Sequence, residues 1–175
     1  MIHFEVIDPK MGHVRGSISN MSTDNSEYEV SKNLWNDGTD MHGLFVSFAI
    51  SSEKKFLFDF TDTFHVKPTW SSEEGKTYLY KTGPRKSARS VWGIASKDHI
   101  LNDEIDDHLE FILKILEPHC DFIERLSKDP DLYLSFRIWV QLEGGILGFG
   151  IGFQMLERII RFGTDINFTF IGVER

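Results

Sequence analysis

Six carboxylates fall between positions 98 and 110: Asp98, Asp103, Glu104, Asp106, Asp107 and Glu110. Carboxylates this dense can exchange protons, hold a hard cation, or present a negative surface to a cationic partner. Most of them sit where "LNDEIDDHLEFILKIL" begins to read as a helix, and the partial positive charge of a helix N-terminus favours acidic residues there without any ligand. Both readings stand at this level: a dipole-stabilised helix start, or a docking surface for a basic protein. A second constellation is Tyr133, Arg137 and Trp139, which share one face of an alternating run. Tyr, Trp and Arg dominate binding hot spots, but another part of the chain could equally cover that face.

Seven histidines raise the question of a metal. His99, His108 and His119 are nine and eleven residues apart, not the three or four that put two ligands on one helix face, so they read as solvated or edge side chains. Neighbours His119 and Cys120 point about 100° apart on a helix. Without a supporting motif, Cys120 reads as a small buried side chain rather than a nucleophile. No G-x-S-x-G and no plausible triad order occur. No metal, no cofactor and no catalytic residue is expected.

The stretch "LEGGILGFGIGFQMLERII" (142–160) carries five glycines between positions 144 and 152 and runs into a helical pattern. Glycine-rich loops that open helices cradle phosphates. Here Gly148, Gly150 and Gly152 alternate with Leu147, Phe149, Ile151 and Phe153, which is the period of a strand. No Gly-Lys-Ser/Thr follows, and a dinucleotide site needs a parallel βαβ unit with a later acid. The expectation is a strand with one bare face, entered through a Gly144-Gly145 hairpin turn.

A chain of 175 residues with 41% hydrophobic side chains and 15 Phe is long enough for one domain with a real core. The formal charge of −8 and pI near 5.3 argue against general affinity for nucleic acid or anionic membrane, which needs clustered Lys and Arg. The single cysteine excludes an internal disulfide and a cysteine-based zinc site. "MIHFEVIDPKMGHV" lacks the basic and apolar regions of a signal peptide, and no run approaches the roughly 18 apolar residues of a membrane span. A reduced, cytoplasmic protein is the expectation, monomeric or weakly dimeric.

The elements that must position these residues follow from periodicity. "IHFEVI" alternates as a short strand. Residues 11–42 are the least organised, with one further strand possible in "SEYEVSKNLW" and Trp35 as an anchor. "GLFVSFAI" (43–50) is a strand. Phe56, Phe58 and Phe60 alternate as a strand would, but Phe56, Leu57, Phe60 and Phe64 also fall at helical spacing, and the reading taken is a helix after Ser52, which could cap it. "KTYLYKT" and "SVWGIAS" are strands around the basic turn "GPRKSAR", itself read as solvated. The helix "LNDEIDDHLEFILKIL", capped by Asn102 or Asp103, buries Ile105, Leu109, Ile112 and Leu116, with Phe111 and Ile115 widening the stripe. Pro118 kinks it or opens a second helix, "PHCDFIERLSK". "LYLSFRIWVQLE" is a long strand, "FQMLERIIRFG" a helix ended at Gly163, and "DINFTFIGV" a closing strand. Together they specify an α+β fold: a mixed or antiparallel sheet with helices mainly on one face. Residues 43–175 form the core domain, and 1–42 a strand and variable segment packing on it.

Two stretches, "VWGIAS" leading into "IDDHLEFILKILEPHCDFIERL", and "LSFRIWVQLEGGILGFGIGFQMLERIIRFGTDINFTFI", resemble a family of small bacterial proteins carried as a domain of unknown function. "HVKPTWSSEEGK" resembles that family's Pro-Thr turn, and the likeness covers about residues 43–175. The resemblance implies a compact α+β domain without assigned catalytic residues, and more distantly a kinship with proteins that neutralise bacterial toxins. The functional expectation is a non-enzymatic binding protein, most plausibly an immunity protein that occludes a basic toxin such as a nuclease. The binding residues expected are Asp98, Asp103, Glu104, Asp106, Asp107, Glu110, Tyr133, Arg137 and Trp139. The alternative is a small-molecule-binding domain or small enzyme using a cleft beside the glycine-rich strand.

Overall fold

The computed structural model describes residues 2–8, 12–16, 43–80, 83–142 and 150–172. Nine strands and four α-helices are defined among them: β1 (Ile2–Asp8), β2 (Gly12–Gly16), β3 (Leu44–Ser52), α1 (Phe60–Phe64), β4 (Trp70–Ser72), β5 (Thr77–Tyr80), β6 (Gly83–Lys86), β7 (Ser90–Ala95), α2 (Ile105–Leu116), α3 (Cys120–Leu126), β8 (Tyr133–Leu142), α4 (Phe153–Ile160) and β9 (Asp165–Gly172). A 3₁₀ turn, Glu117–His119, joins α2 to α3 and carries Pro118 near its start, as a residue without an N–H favours.

The fold is α+β. Seven strands make one mixed sheet in the order β2-β1-β9-β8-β3-β7-β4, and β5 and β6 form a separate pair. Strand β3 is antiparallel to both β7 and β8, whereas β8, β9 and β1 run parallel. The N-terminal strand thus extends the same sheet as the core, pairing Ile2 with Ile166 and Phe4 with Phe168. Alternation sorts the strand side chains. Leu44, Val46, Phe48 and Ile50 of β3, with Leu134, Phe136, Ile138 and Val140 of β8, face the helices and form one buried cluster with Phe60, Phe64, Leu109, Ile112, Leu113, Leu116, Ile123, Ile159 and Phe162. Each of the fully buried aliphatics is worth roughly 1.5–3 kcal/mol by removal from water. The opposite face carries a smaller cluster of Phe45, Ala95 and Trp139, with Trp70 packed against it.

Four local expectations change. The helix after β3 is short: residues 53–59 are irregular, α1 starts at Phe60, and its cap is Asp59, whose carboxylate accepts from Thr61 N at 2.8 Å. Ser52 instead ends β3 and accepts from Lys54 N. The basic segment read as a turn contains strand β6, because Thr77–Tyr80 offers it a complete antiparallel partner. Helix α2 begins one residue later than read, with Glu104 at the cap position and Asn102 Oδ1 accepting from Glu104 N at 3.0 Å.

The glycine-rich stretch is the largest correction. Residues 143–149, including the Gly144-Gly145 turn, lie outside the described residues. Gly150, Ile151 and Gly152 are not part of a strand, and Gly152 is the cap residue of α4. Strands β8 and β9 are direct parallel neighbours, Ser135 opposite Asp165 and Leu142 opposite Gly172. A parallel pair needs a crossover from one end of the sheet to the other, and α4 lies in the connection that makes it. A parallel βαβ unit is therefore present as β8–α4–β9, and the chain ends three residues after it. Gly150 and Gly152 have open space where a Cβ would stand, so no element among the described residues crosses over them closely.

A candidate partner-binding surface

Strand direction decides which loops share an end. Because β7 and β8 are both antiparallel to β3, they point the same way. Helix α2 follows β7 and α4 follows β8, so both helices start at the carboxyl end of these strands. Gln141 N donates to Gly43 O at 2.8 Å at this end. The Asp103 carboxylate lies directly over Gly43, whose φ is +119°. The segment 96–104 thus sits against the end of β8, where the glycine run begins.

This segment is tied down by its own polar groups. Ser96 N donates to Val46 O at 2.9 Å, and Val46 N donates to Ser96 Oγ at 2.9 Å. His99 N and Ile100 N both donate to Ser96 O. Asn102 Nδ2 donates to Asp107 at 2.7 Å. Beneath the loop lies His108, 1% exposed, with Nδ1 2.7 Å from Ser96 Oγ and Nε2 2.7 Å from Asn102 O. A carbonyl only accepts, so Nε2 carries a proton and donates to it. Burial holds the His108 pKa below the usual imidazole value, against the opposing hydrogen bond to Asn102 and the charges of Asp103 and Asp107. His108 is therefore not the solvated histidine expected from the sequence. The signal was available: it stands three residues after Ile105 and four before Ile112, inside the buried stripe.

Lys97 is buried and Ile100 half-buried, while the acidic side chains of the segment and of the start of α2 lie at the surface. Asp98, Asp103, Glu104, Asp106 and Asp107 are exposed, and none makes a salt bridge among the described residues. Among them stands Leu101, 92% exposed. Phe153, which opens α4 at the same end of the sheet, is 79% exposed. Neither apolar residue was singled out by the sequence, because each precedes or opens a helix where periodicity is uninformative.

The remaining predicted residues are placed elsewhere. Glu110 is engaged within the fold: it bonds Arg158 Nη1 at 2.5 Å, while Glu117 takes Arg158 Nε at 2.6 Å and Nη2 at 3.0 Å. This triad fastens α4 to α2. The hydrogen bond from Arg158 is the main reason the Glu110 carboxyl lies below its ordinary pKa, and the two carboxylates raise that of Arg158. Trp139 is buried, 1% exposed; it stacks on Phe45 at 5.4 Å and donates from Nε1 to Ser47 Oγ at 3.0 Å. The Arg137 guanidinium lies 5.3 Å from its ring centre. Tyr133 is half-buried, its hydroxyl accepting from Asn167 at 3.4 Å. Tyr133, Arg137 and Trp139 share the sheet face away from the helices, so the structure separates them from the acidic segment, and covering takes Trp139 out of contact with solvent.

Of the other histidines, His99 stacks on Phe111 at 4.6 Å, and His119 meets the Phe64 ring edge-on at 5.2 Å. Cys120 is a half-buried free thiol at the start of α3. Among the described residues no three His, Cys, Asp or Glu side chains are grouped to hold a metal ion, and no helix is long and apolar enough to cross a membrane. No curated protein and no solved structure matches the chain. A family model, the domain of unknown function DUF4279, matches residues 41–171. That span takes in every element from β3 to β9 but for the last residue of β9, and the chain therefore belongs to the DUF4279 family.

Proposed function

We propose that this protein acts by binding a cationic protein partner at the carboxyl end of β7 and β8, and that the partner is a bacterial toxin domain which it neutralises in the cytoplasm by occlusion. One observation carries the reading: five exposed carboxylates without ion-pair partners among the described residues lie between positions 98 and 107, on both sides in the chain of the almost fully exposed Leu101. An apolar anchor inside a charged rim is the composition of a protein-binding patch. The rim speeds encounter with a basic surface, and the anchor, once desolvated, governs the off-rate. Helix dipole stabilisation accounts for Asp106 and Asp107 in the first turn of α2, but it has no bearing on Leu101 or on Asp98, which lies outside that turn.

Co-expression with the toxin encoded beside it, followed by binding kinetics on the purified pair, tests the reading. The wild type gives protection and a complex. An Asp103→Asn, Asp106→Asn, Asp107→Asn variant slows association about tenfold at low salt, and Leu101→Ala raises the off-rate with little change in association. Absence of both protection and complex would sink the proposal. In that case a small molecule that raises the melting temperature would favour the ligand-binding alternative.

A further inference from the structure

The buried ring of His108 joins three parts of the chain that have no covalent reason to stay together: the end of β7 through Ser96, the loop through the Asn102 carbonyl, and α2, on which it stands. We propose that His108 is a proton-sensitive latch that holds segment 96–104 closed near neutral pH and releases it in acid.

The hydrogen bonds define the closed state. Nε2–H donates to Asn102 O, so in the neutral ring Nδ1 is bare and accepts the Ser96 hydroxyl proton. Ser96 Oγ in turn accepts from Val46 N at 2.9 Å and lies 3.2 Å from Val46 O, a second possible acceptor for its proton. Adding a proton at Nδ1 therefore requires the Ser96 hydroxyl to turn to Val46 O, and it leaves a cation enclosed. Among the described residues, the uncharged Ser96 hydroxyl and Asn102 carbonyl meet the ring, Val46 of β3 stands behind Ser96, and Asp103 of the loop and Asp107 of α2 act on it as anions. Their attraction is outweighed by burial, which is the first cause of the lowered pKa. The cation is relieved by lifting segment 96–104 into water, which frees Asn102 and with it the Asn102–Glu104 and Asn102–Asp107 bonds.

The latch stands on the free protein; only its purpose, regulating the partner surface, rests on the partner-binding reading. With that reading, acid displaces Asp98, Leu101 and Asp103 together and weakens the complex. A cationic partner screening Asp103 and Asp107 makes protonation of His108 harder still. Protons and partner then compete for one site.

Amide exchange of Ser96, His99, Ile100 and Glu104, the hydrogen-bonded amides of the segment, in the free chain, expressed as protection factors between pH 5 and 8, tests the latch without any partner. In the wild type, protection is constant above about pH 6.5, the value of a solvated imidazole. It falls below that pH by up to tenfold per unit, one proton being taken up on opening. In His108→Gln, which retains a donor and has no proton to gain, protection is independent of pH. His99→Gln, a change at the exposed neighbour, leaves the wild-type profile intact. A flat wild-type profile overturns the proposal, as does a pH dependence that survives His108→Gln or disappears with His99→Gln. If His108→Gln does not fold, the wild-type ring decides: its nitrogen-15 titration must begin at a lower pH than that of an exposed histidine. A normal titration overturns the latch.

Discussion

Gly93 and Trp70 offer the sharpest test of how the second face of the sheet is packed. Gly93 lies in β7, opposite Ala49 of β3 on one side and Trp70 of β4 on the other. A Cβ at position 93 would stand 2.2 Å from Trp70 Cζ2 and 2.4 Å from Cε2. The indole is rigid and cannot bend out of the way as a lysine would. Gly93→Ala therefore forces the ring away from Phe45, Ala95 and Trp139, an overpacking cost of about 1–3 kcal/mol. Removing the ring reverses the sign. In a Trp70→Ala background the added methyl meets no indole, and alanine in a strand interior is favoured over glycine by roughly 0.5–1 kcal/mol. Trp70 Nε1 has no hydrogen-bond partner among the described residues, so its removal strips no polar contact described there and the cycle reports packing. The expected coupling is about 1.5–4 kcal/mol. Urea unfolding followed by circular dichroism measures it, with Gly93→Ala lowering the wild-type melting temperature by about 2–12 °C. Equal destabilisation by Gly93→Ala with and without Trp70 would refute the reasoning.

Three further outcomes follow from single contacts. The His108 pKa is lower in the folded chain than in the unfolded one, so the unfolded state binds more protons in the interval between the two. Stability contributed by this residue is complete above about pH 6.5 and is lost as pH falls through that interval; denaturant midpoints between pH 5 and 8 measure the loss, and His108→Gln flattens that part of the curve. Arg158→Met takes from Glu110 of α2 and Glu117 at its end the cation of α4 that they share, and is expected to cost about 1 kcal/mol, an exposed-pair magnitude, with the deficit shrinking in high salt. Asp59→Ala removes the cap of α1 and is expected to cost about 1 kcal/mol, with Asp59→Ser recovering most of it in the same unfolding assay.

What the sequence determined by itself is what short-range periodicity and chemistry encode. Strands β3 and β8 alternate in the chain as they alternate between two faces in the fold. Helix α2 carries its buried stripe, acidic first turn and Pro-marked end within sixteen residues, and the likeness over residues 43–175 matched the family span to within a few positions. These features depend on neighbours three or four residues away. The tertiary structure alone decided the rest. Gly150 and Gly152 belong to an alternating run that reads as a strand, and only the structure places them outside one, with Gly152 capping α4 in the connection between the parallel strands β8 and β9. Glu110 belongs to the acidic run in the chain but to Arg158, 48 positions away, in the fold. Whether Trp139 is covered stays open in the sequence until Phe45 and Ser47 meet it from distant positions, and His108 reads as solvated until Ser96 and Asn102 close around it. Leu101 carries no local pattern at all; it stands out because the sheet brings the start of α2 to an end where five carboxylates and an uncovered leucine meet solvent together.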